Sequence, residues 1–262
     1  MEKIEAYGFK TKLIKPNDNI IEVIINAINS SSMKLENGDV IIIAETPLAI
    51  SQKRLIKLDE IKPSKKAINL SKKYYMDPKY IQVIINESDR IIGGVRGFLL
   101  TEKDGFLYAN AGVDKSNAPP GMLVLLPSNP LKTVKKIREK LENHFNKKIA
   151  VILADSRTQP LKRGVIGGAI AVSGMEPVED CRNKPDIHGY KLKYTYRAIA
   201  DDLTSVAQLL FGETNEQIPI VLIRGVKIRL TDKIKESMYI SYDDCIFMNI
   251  FSSKPNNNDK SS

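Results

Sequence analysis

Three acidic side chains, Asp114, Asp155 and Glu213, each follow an apolar segment of the chain. Asp114 closes the run NAGVD, and Asp155 ends the run AVILA with the hydroxyl of Ser156 beside it. Glu213 comes directly after a helical stretch and its Gly212 stop. Carboxylates and hydroxyls are hard oxygen donors suited to Mg²⁺ or Mn²⁺, and such ions bridge phosphate oxygens. The carboxyl ends of strands are also where open α/β sheets place their ligands. The plainer alternative for each acid, a turn or cap residue, stands beside this reading. Downstream of Asp155, the cations Arg157, Lys162 and Arg163 suit a polyphosphate or a developing acyl phosphate, or else form a solvated basic loop. Asp201 and Asp202 read as a helix cap and dipole partner, His188 as a loop residue, and Cys181 and Cys245 as packing or surface thiols.

The elements that must position these groups follow from hydrophobic periodicity. Ile20, Ile21, Ile24, Ile25 and Ile28 repeat at helical spacing behind an Asp18 cap. Residues 39–46 read as a buried strand, and residues 63–75 and 78–86 as helices with Pro near each start. Residues 90–100 and 105–110 read as two strands joined at Lys103-Asp104-Gly105. A helix is expected over 131–145, a strand over 148–154 ending at Asp155, and a glycine-rich strand over 164–174. A helix from Asp201 to Gly212 and a strand over 218–224 complete the pattern. Strands and helices alternate without the rhythm of a barrel, so the class is mixed α/β. The stretch around 160–195 is a candidate smaller lobe, and 252–262 reads as a disordered tail.

A chain of 262 residues, 42% of them hydrophobic, is long enough to bury a sizeable core. Its 40 basic and 31 acidic residues leave a net +9, which favours anionic partners and keeps a non-enzymatic nucleic-acid-binding protein as an outside reading. No aromatic–basic interleaving or nucleic-acid motif supports that reading. There is no GxxxxGK[ST] loop and no GxGxxG. With His144 and His188 the only histidines, HExxH is absent and a Ser-His-Asp triad has little material. The apolar runs fall far short of the ~18–20 residues of a membrane helix, no basic n-region opens the chain, and the two cysteines are far apart. The expected setting is the cytoplasm, without membrane or nucleic-acid partners.

Five ordered blocks are more specific than any of these features: NAGVDKSN (110–117), VILADS (151–156), KRGVIGGAIAVSG (162–174), IADDLTSVAQLLFGE (199–213) and IPIVLIRG (218–225). Together they resemble the coenzyme F420-0:γ-glutamyl ligase family over residues 13–225. The resemblance implies a mixed α+β fold of the family's own type, one ligase-like domain over 1–251, and an intertwined homodimer. It also implies a GTP- and divalent-metal-dependent ligase that joins L-glutamate to the lactyl carboxylate of F420-0 through an acyl phosphate. Two Mg²⁺ or Mn²⁺ ions are implied, with K⁺ a further candidate.

Carried over by motif, Asp114 and Asp155 correspond to ligands of one metal ion. Ser156, where the family commonly has Thr, and Glu213 correspond to ligands of the second. Thr46, Asn117, Phe211, Gly212, Glu213 and Gln217 correspond to nucleotide contacts, and Asp114, Asp155, Lys162 and Arg163 form the expected catalytic set. Three departures stand out. Ala49-Ile50 replaces a Ser-Lys pair, with Lys53 or Arg54 as substitute cations. FKTK at 9–12 replaces a Gly-Leu-Pro element, and Arg157-Thr158-Gln159 replaces Asn-Gly-Arg. They leave open a paralogue that joins an amino acid to another carboxylate cofactor, with ATP in place of GTP.

Overall fold

The computed structural model describes residues 2–249, so the expected tail at 252–262 lies outside the described residues. In chain order the elements are β1 (Glu5–Phe9), α1 (Ile20–Asn29), β2 (Val40–Ala44), α2 (Glu45–Ser51), β3 (Leu55–Lys57), α3 (Lys65–Tyr74), α4 (Pro78–Glu87), β4 (Arg90–Val95), β5 (Phe98–Lys103), β6 (Phe106–Ala109), β7 (Met122–Val124), α5 (Pro130–Phe145), β8 (Ala150–Thr158), β9 (Val165–Ser173), β10 (Glu179–Asp180), β11 (Tyr196–Arg197), α6 (Ile199–Phe211) and β12 (Ile220–Arg224). The class is mixed α/β, as the alternating pattern predicts.

The main sheet has the order β1-β12-β2-β8-β9. Its central pair, β2 and β8, is parallel and the other neighbours are antiparallel. Both faces are covered, which explains why β2 and β8 read as continuous apolar runs rather than alternating ones. Ile41, Ile43, Val151 and Leu153 join one core cluster with Ile24 and Ile28 of α1 and Val134, Ile137 and Leu141 of α5. Val40, Ile42, Ala150 and Ile152 join the other with Leu203 and Ala207 of α6. Each fully buried isoleucine contributes about 2 kcal/mol by removal from water. Helix α6 lies so close to β9 that a Cβ at Gly167 would overlap the Thr204 carbonyl oxygen.

A second cluster is built on α3, α4 and the antiparallel sheet β4-β5-β6, with Tyr80, Ile81, Ile84, Leu99, Val113 and Leu123 at its centre. Here the sequence expectation needs correction. The strand expected over 90–100 is two strands, because the chain turns at Gly97, whose φ of 86° suits glycine. The turn at Asp104-Gly105 then joins β5 to β6, so a three-stranded meander replaces one hairpin.

Three further boundaries differ. The strand expected over 39–46 stops at Ala44, and Glu45 opens α2. Helix α1 is capped by Asn19, whose side chain accepts the Ile21 N–H, while Asp18 accepts the N–H of Lys15. Strand β8 continues past Asp155 to Thr158, because β9 folds back against it. Within the 160–195 stretch, β9 belongs to the main sheet, and β10 pairs with β11 around an exposed loop carrying Ile187, Tyr190 and Tyr194.

Candidate active site

The parallel register of β2 and β8 places Ala44 opposite Ala154. The next residue of each strand is an acid, Glu45 and Asp155, so two carboxylates leave the sheet side by side. Strand alternation puts Asp155 on the face of Val151 and Leu153, and Ser156 on the opposite face, toward α6. Across β9, Asp155 pairs with Gly168, over which the Arg157 side chain lies.

Asp114 arrives from the second cluster. It follows a tight turn at Asn110–Gly112, in which Ala111 adopts a left-handed conformation. It is then fixed by a two-way backbone bridge to Val124, both hydrogen bonds 2.9 Å. Its carboxylate accepts the N–H of Ser116 at 2.8 Å and the Ser116 hydroxyl at 3.0 Å. Glu213 follows the Gly212 end of α6 and accepts the Gln208 side-chain amide.

Three of these carboxyls are raised, each with a neighbouring acid among the causes. Burial chiefly pushes Asp155 up to about 7; the Ser156 N–H opposes it, Asp114 and Glu213 add to it, and Arg157 opposes it. Glu45 is pushed well above the usual carboxylate range by burial and by Asp155, eased by the Thr46 hydroxyl, with Asp114 adding. Burial raises Glu213 as well; Gln208 eases it, and Asp114 and Glu216 reinforce it. The half-buried Tyr108 of β6 is also raised, by burial first and then by Asp155, with Glu45 among the further contributors. Among the described residues none of the four acids has an ion pair. Arg157, the nearby cation, is engaged with Asp201 at 2.8 Å. The cluster thus gathers carboxyls that have no cationic partner, and they are hard oxygen donors suited to a divalent cation. As arranged here, no three Asp, Glu, His or Cys groups among the described residues stand close enough to hold a metal ion.

The family model described as F420-0:Gamma-glutamyl ligase matches residues 8–225. The chain belongs to this family. Coenzyme F420:L-glutamate ligase of Methanocaldococcus jannaschii is 40% identical over 229 residues, covering 86% of this chain and 89% of the relative. The enzyme of the same name from Methanothermobacter thermautotrophicus is 36% identical, with 81% and 85% covered. That from Archaeoglobus fulgidus is 30% identical, with 89% and 92% covered. The chain is therefore an enzyme, a ligase, and the non-enzymatic reading drawn from its net charge is set aside. No helix among the described residues is long and apolar enough to cross a membrane.

Within this ligase the other motif residues are dispersed around the carboxylates. Thr46 lies in the first turn of α2, its hydroxyl donating to Glu45. Asn117 is exposed, with a φ of 54°. Phe211 ends α6, Gly212 has a φ of 67°, and a Cβ there would overlap the Glu216 carboxylate. Gln217 is exposed and its carbonyl accepts the Thr11 N–H at 3.1 Å, tying this loop to the segment after β1. Lys162 and Arg163 are exposed in the β8–β9 turn, and no side-chain hydrogen bond or ion pair links either to the carboxylates.

One of the two substitute cations is already engaged. Arg54 is not a free substitute cation: it donates to the Leu126 carbonyl at 2.9 Å and to Glu87 at 3.0 Å. Lys53 is exposed at the turn after α2. Ile50 packs in a small apolar cluster with Ala49 and Val124, so that position holds core rather than ligand.

Glu45 is the acid that sequence reasoning missed, because attention went to its neighbour Thr46. The signal was present as two short β-branched runs, each ending in an acid, but it becomes meaningful only once the runs are known to be parallel neighbours in register.

Proposed function

We propose that this chain joins L-glutamate to the lactyl carboxylate of coenzyme F420-0 in a GTP- and divalent-metal-dependent reaction. The observation that carries the reading is the convergence of Glu45, Asp114, Asp155 and Glu213 without a cation, inside a chain of this ligase family. In the proposed sequence an oxygen of the substrate carboxylate attacks the γ-phosphorus of GTP, and GDP leaves. The glutamate amine then attacks the carbonyl of the resulting acyl phosphate, phosphate leaves, and a proton passes to solvent.

Asp114 and Asp155 would hold one divalent ion, and Ser156 and Glu213 the second, with K⁺ a further candidate. Glu45 adds a fourth carboxylate to this field. Bound divalent ions would offset phosphate charge and polarise the phosphoryl group. Thr46, Asn117 and the 211–217 loop would border the nucleotide. Lys162 and Arg163, on their exposed turn, would offset charge at its phosphates. No nucleophilic side chain is required, in keeping with the sparse histidines. The reading includes an intertwined homodimer in the cytoplasm, which sedimentation and fractionation would test.

The deciding experiment incubates the full chain with F420-0, L-glutamate, GTP and Mn²⁺ and analyses the products by mass spectrometry. A product heavier by one glutamyl residue with stoichiometric GDP is expected. Its absence from folded protein would overturn the reading. One observation favours a second: Ile50 fills a core position, so the nucleotide edge lacks a cation there. A paralogue using ATP and another carboxylate acceptor would then appear in an acceptor screen.

A further inference from the structure

The carboxylates of the site come from two separately packed parts. Glu45 and Asp155 belong to the main sheet, whereas Asp114 extends from the cluster built on α3, α4 and β4–β6. The separation of the two parts therefore sets the separation of the acids. The chain beyond β12 lies past the 8–225 family match and passes the end of β9, from one part to the other.

It is anchored first on the main sheet. Val226, Ile228 and Met238 pack on the α6-side cluster. Thr231 N–H donates to the Gly174 carbonyl at 3.0 Å, and Asp232 pairs with the buried Arg138 of α5. The N–H groups of Lys235 and Glu236 both donate to one oxygen of Glu176, each at 2.8 Å. The chain then reaches the other part. The ring of Tyr239 meets Phe106 of β6 edge-on, centroids 4.3 Å apart, while its hydroxyl lies 3.5 Å from the Ile170 carbonyl of β9. The Tyr242 hydroxyl donates to Glu102 of β5 at 2.5 Å, under the guanidinium of Arg90. Phe106 in turn stands 5.9 Å from Tyr108, and β6 leads through the Asn110–Gly112 turn to Asp114.

We propose that residues 226–242 form a strap that holds the Asp114 part of the site against the Asp155 part, with Tyr239 and Tyr242 as its positioning residues. Tyr239 meets β6 with its ring and β9 with its hydroxyl, so the whole side chain spans the two parts. Tyr242 keeps the β5–β6 hairpin from swinging away. The effect on cation binding rests on the proposed function, whereas the fastening itself does not.

The test compares full-length wild type, Tyr239→Ala, Tyr239→Phe and Tyr242→Phe by two readouts. One is Mn²⁺ affinity, measured by the paramagnetic signal of free Mn²⁺. The other is amide hydrogen exchange of residues 106–114 relative to 150–154. Tyr239→Ala is expected to weaken Mn²⁺ binding roughly tenfold and to speed exchange in 106–114 alone, because small displacements of paired groups are costly at such sites. Tyr239→Phe keeps the ring against Phe106 but loses the hydroxyl contact to Ile170, so it should fall between wild type and Tyr239→Ala in both. If Tyr239→Ala does not fold, Tyr242→Phe carries the test, with faster exchange in 106–114 expected. Wild-type exchange in whichever variant carries the test overturns the strap. Faster exchange with unchanged Mn²⁺ affinity overturns its positioning role. If wild type binds no Mn²⁺, the metal reading fails, and the exchange comparison alone decides whether the strap stands.

Discussion

Glu45 and Asp155 are the residues that follow a matched pair, Ala44 and Ala154, at the point where two parallel strands leave the core. Burial chiefly raises both carboxyls above their ordinary range; Asp155 adds to the rise at Glu45, and Asp114 and Glu213 add to that at Asp155. Such repulsion is tolerated where a cation or a proton can relieve it. Several outcomes should follow from this pairing and from the elements that hold it.

Asp155→Asn should abolish most turnover, by roughly a hundredfold or more, because it removes a charge-stabilising oxygen. The fold should survive, since asparagine is isosteric. Steady-state assays with circular dichroism check this, and near-normal turnover would remove Asp155 from the reaction.

Asp155 also sets a pH dependence. Its carboxyl is raised to about 7 in the folded chain, so the folded form holds a proton that the unfolded form has released. That contribution is fully present below the ordinary carboxylate range and is lost as pH rises through about 7, a change of about 4 kcal/mol. In chelator-treated samples, urea midpoints should therefore show Asp155→Asn gaining on wild type between pH 4 and pH 8. A constant difference between the two proteins would contradict the raised carboxyl.

Glu45→Gln tests the acid that strand pairing reveals. Removing its raised carboxyl should stabilise the cation-free protein at alkaline pH and weaken Mn²⁺ binding roughly tenfold. Thermal melts with and without Mn²⁺ report both effects. An unchanged Mn²⁺-induced shift would place Glu45 outside the cation field.

Gly167→Ala should cost about 2–3 kcal/mol, because the new methyl group overlaps the Thr204 backbone and pushes α6 off β9. At Gly168 the added Cβ meets only the flexible Arg157 side chain, at 2.6 Å. Gly168→Ala should therefore be milder and should disturb the Arg157–Asp201 pair. Equal losses in denaturant melts would contradict this ordering.

Arg54→Ala should destabilise by about 1–2 kcal/mol, since it removes the donor to the Leu126 carbonyl and leaves Glu87 with Lys103 alone. The KM for GTP should stay within about twofold of wild type, as hydrogen bonds to structural partners leave no free cation for phosphate. A large rise in that KM at unchanged stability would return Arg54 to the nucleotide site.

The parts of the fold legible in the chain were those governed by local period. The isoleucines of α1, the apolar stripe of α5 and the glycine stop of α6 declare themselves at short range, and the structure agrees with them. Strand boundaries were less legible because pairing decides them. Residues 155–158 carry no strand signal of their own, yet β9 holds them in the sheet. Residues 90–100 read as one strand because nothing local announces how far the turn at Gly97 divides them. Strand β1 was missed for the same reason: its partner is β12, more than two hundred residues away in the chain.

The site divides along similar lines. Asp114, Asp155 and Glu213 stood out as acids after apolar runs, and the ordered blocks around them, which identify the family, set them apart from turn or cap residues. Glu45, Tyr108 and the strap through Tyr239 were not visible, because their relation to Asp155 or Asp114 is one of register and packing between distant segments. Residue type and spacing specify which groups are available and which elements carry them. Which of those groups share an electric field depends on distance through space, and only the packed sheet, with its parallel pair and its fastened neighbour, decides that.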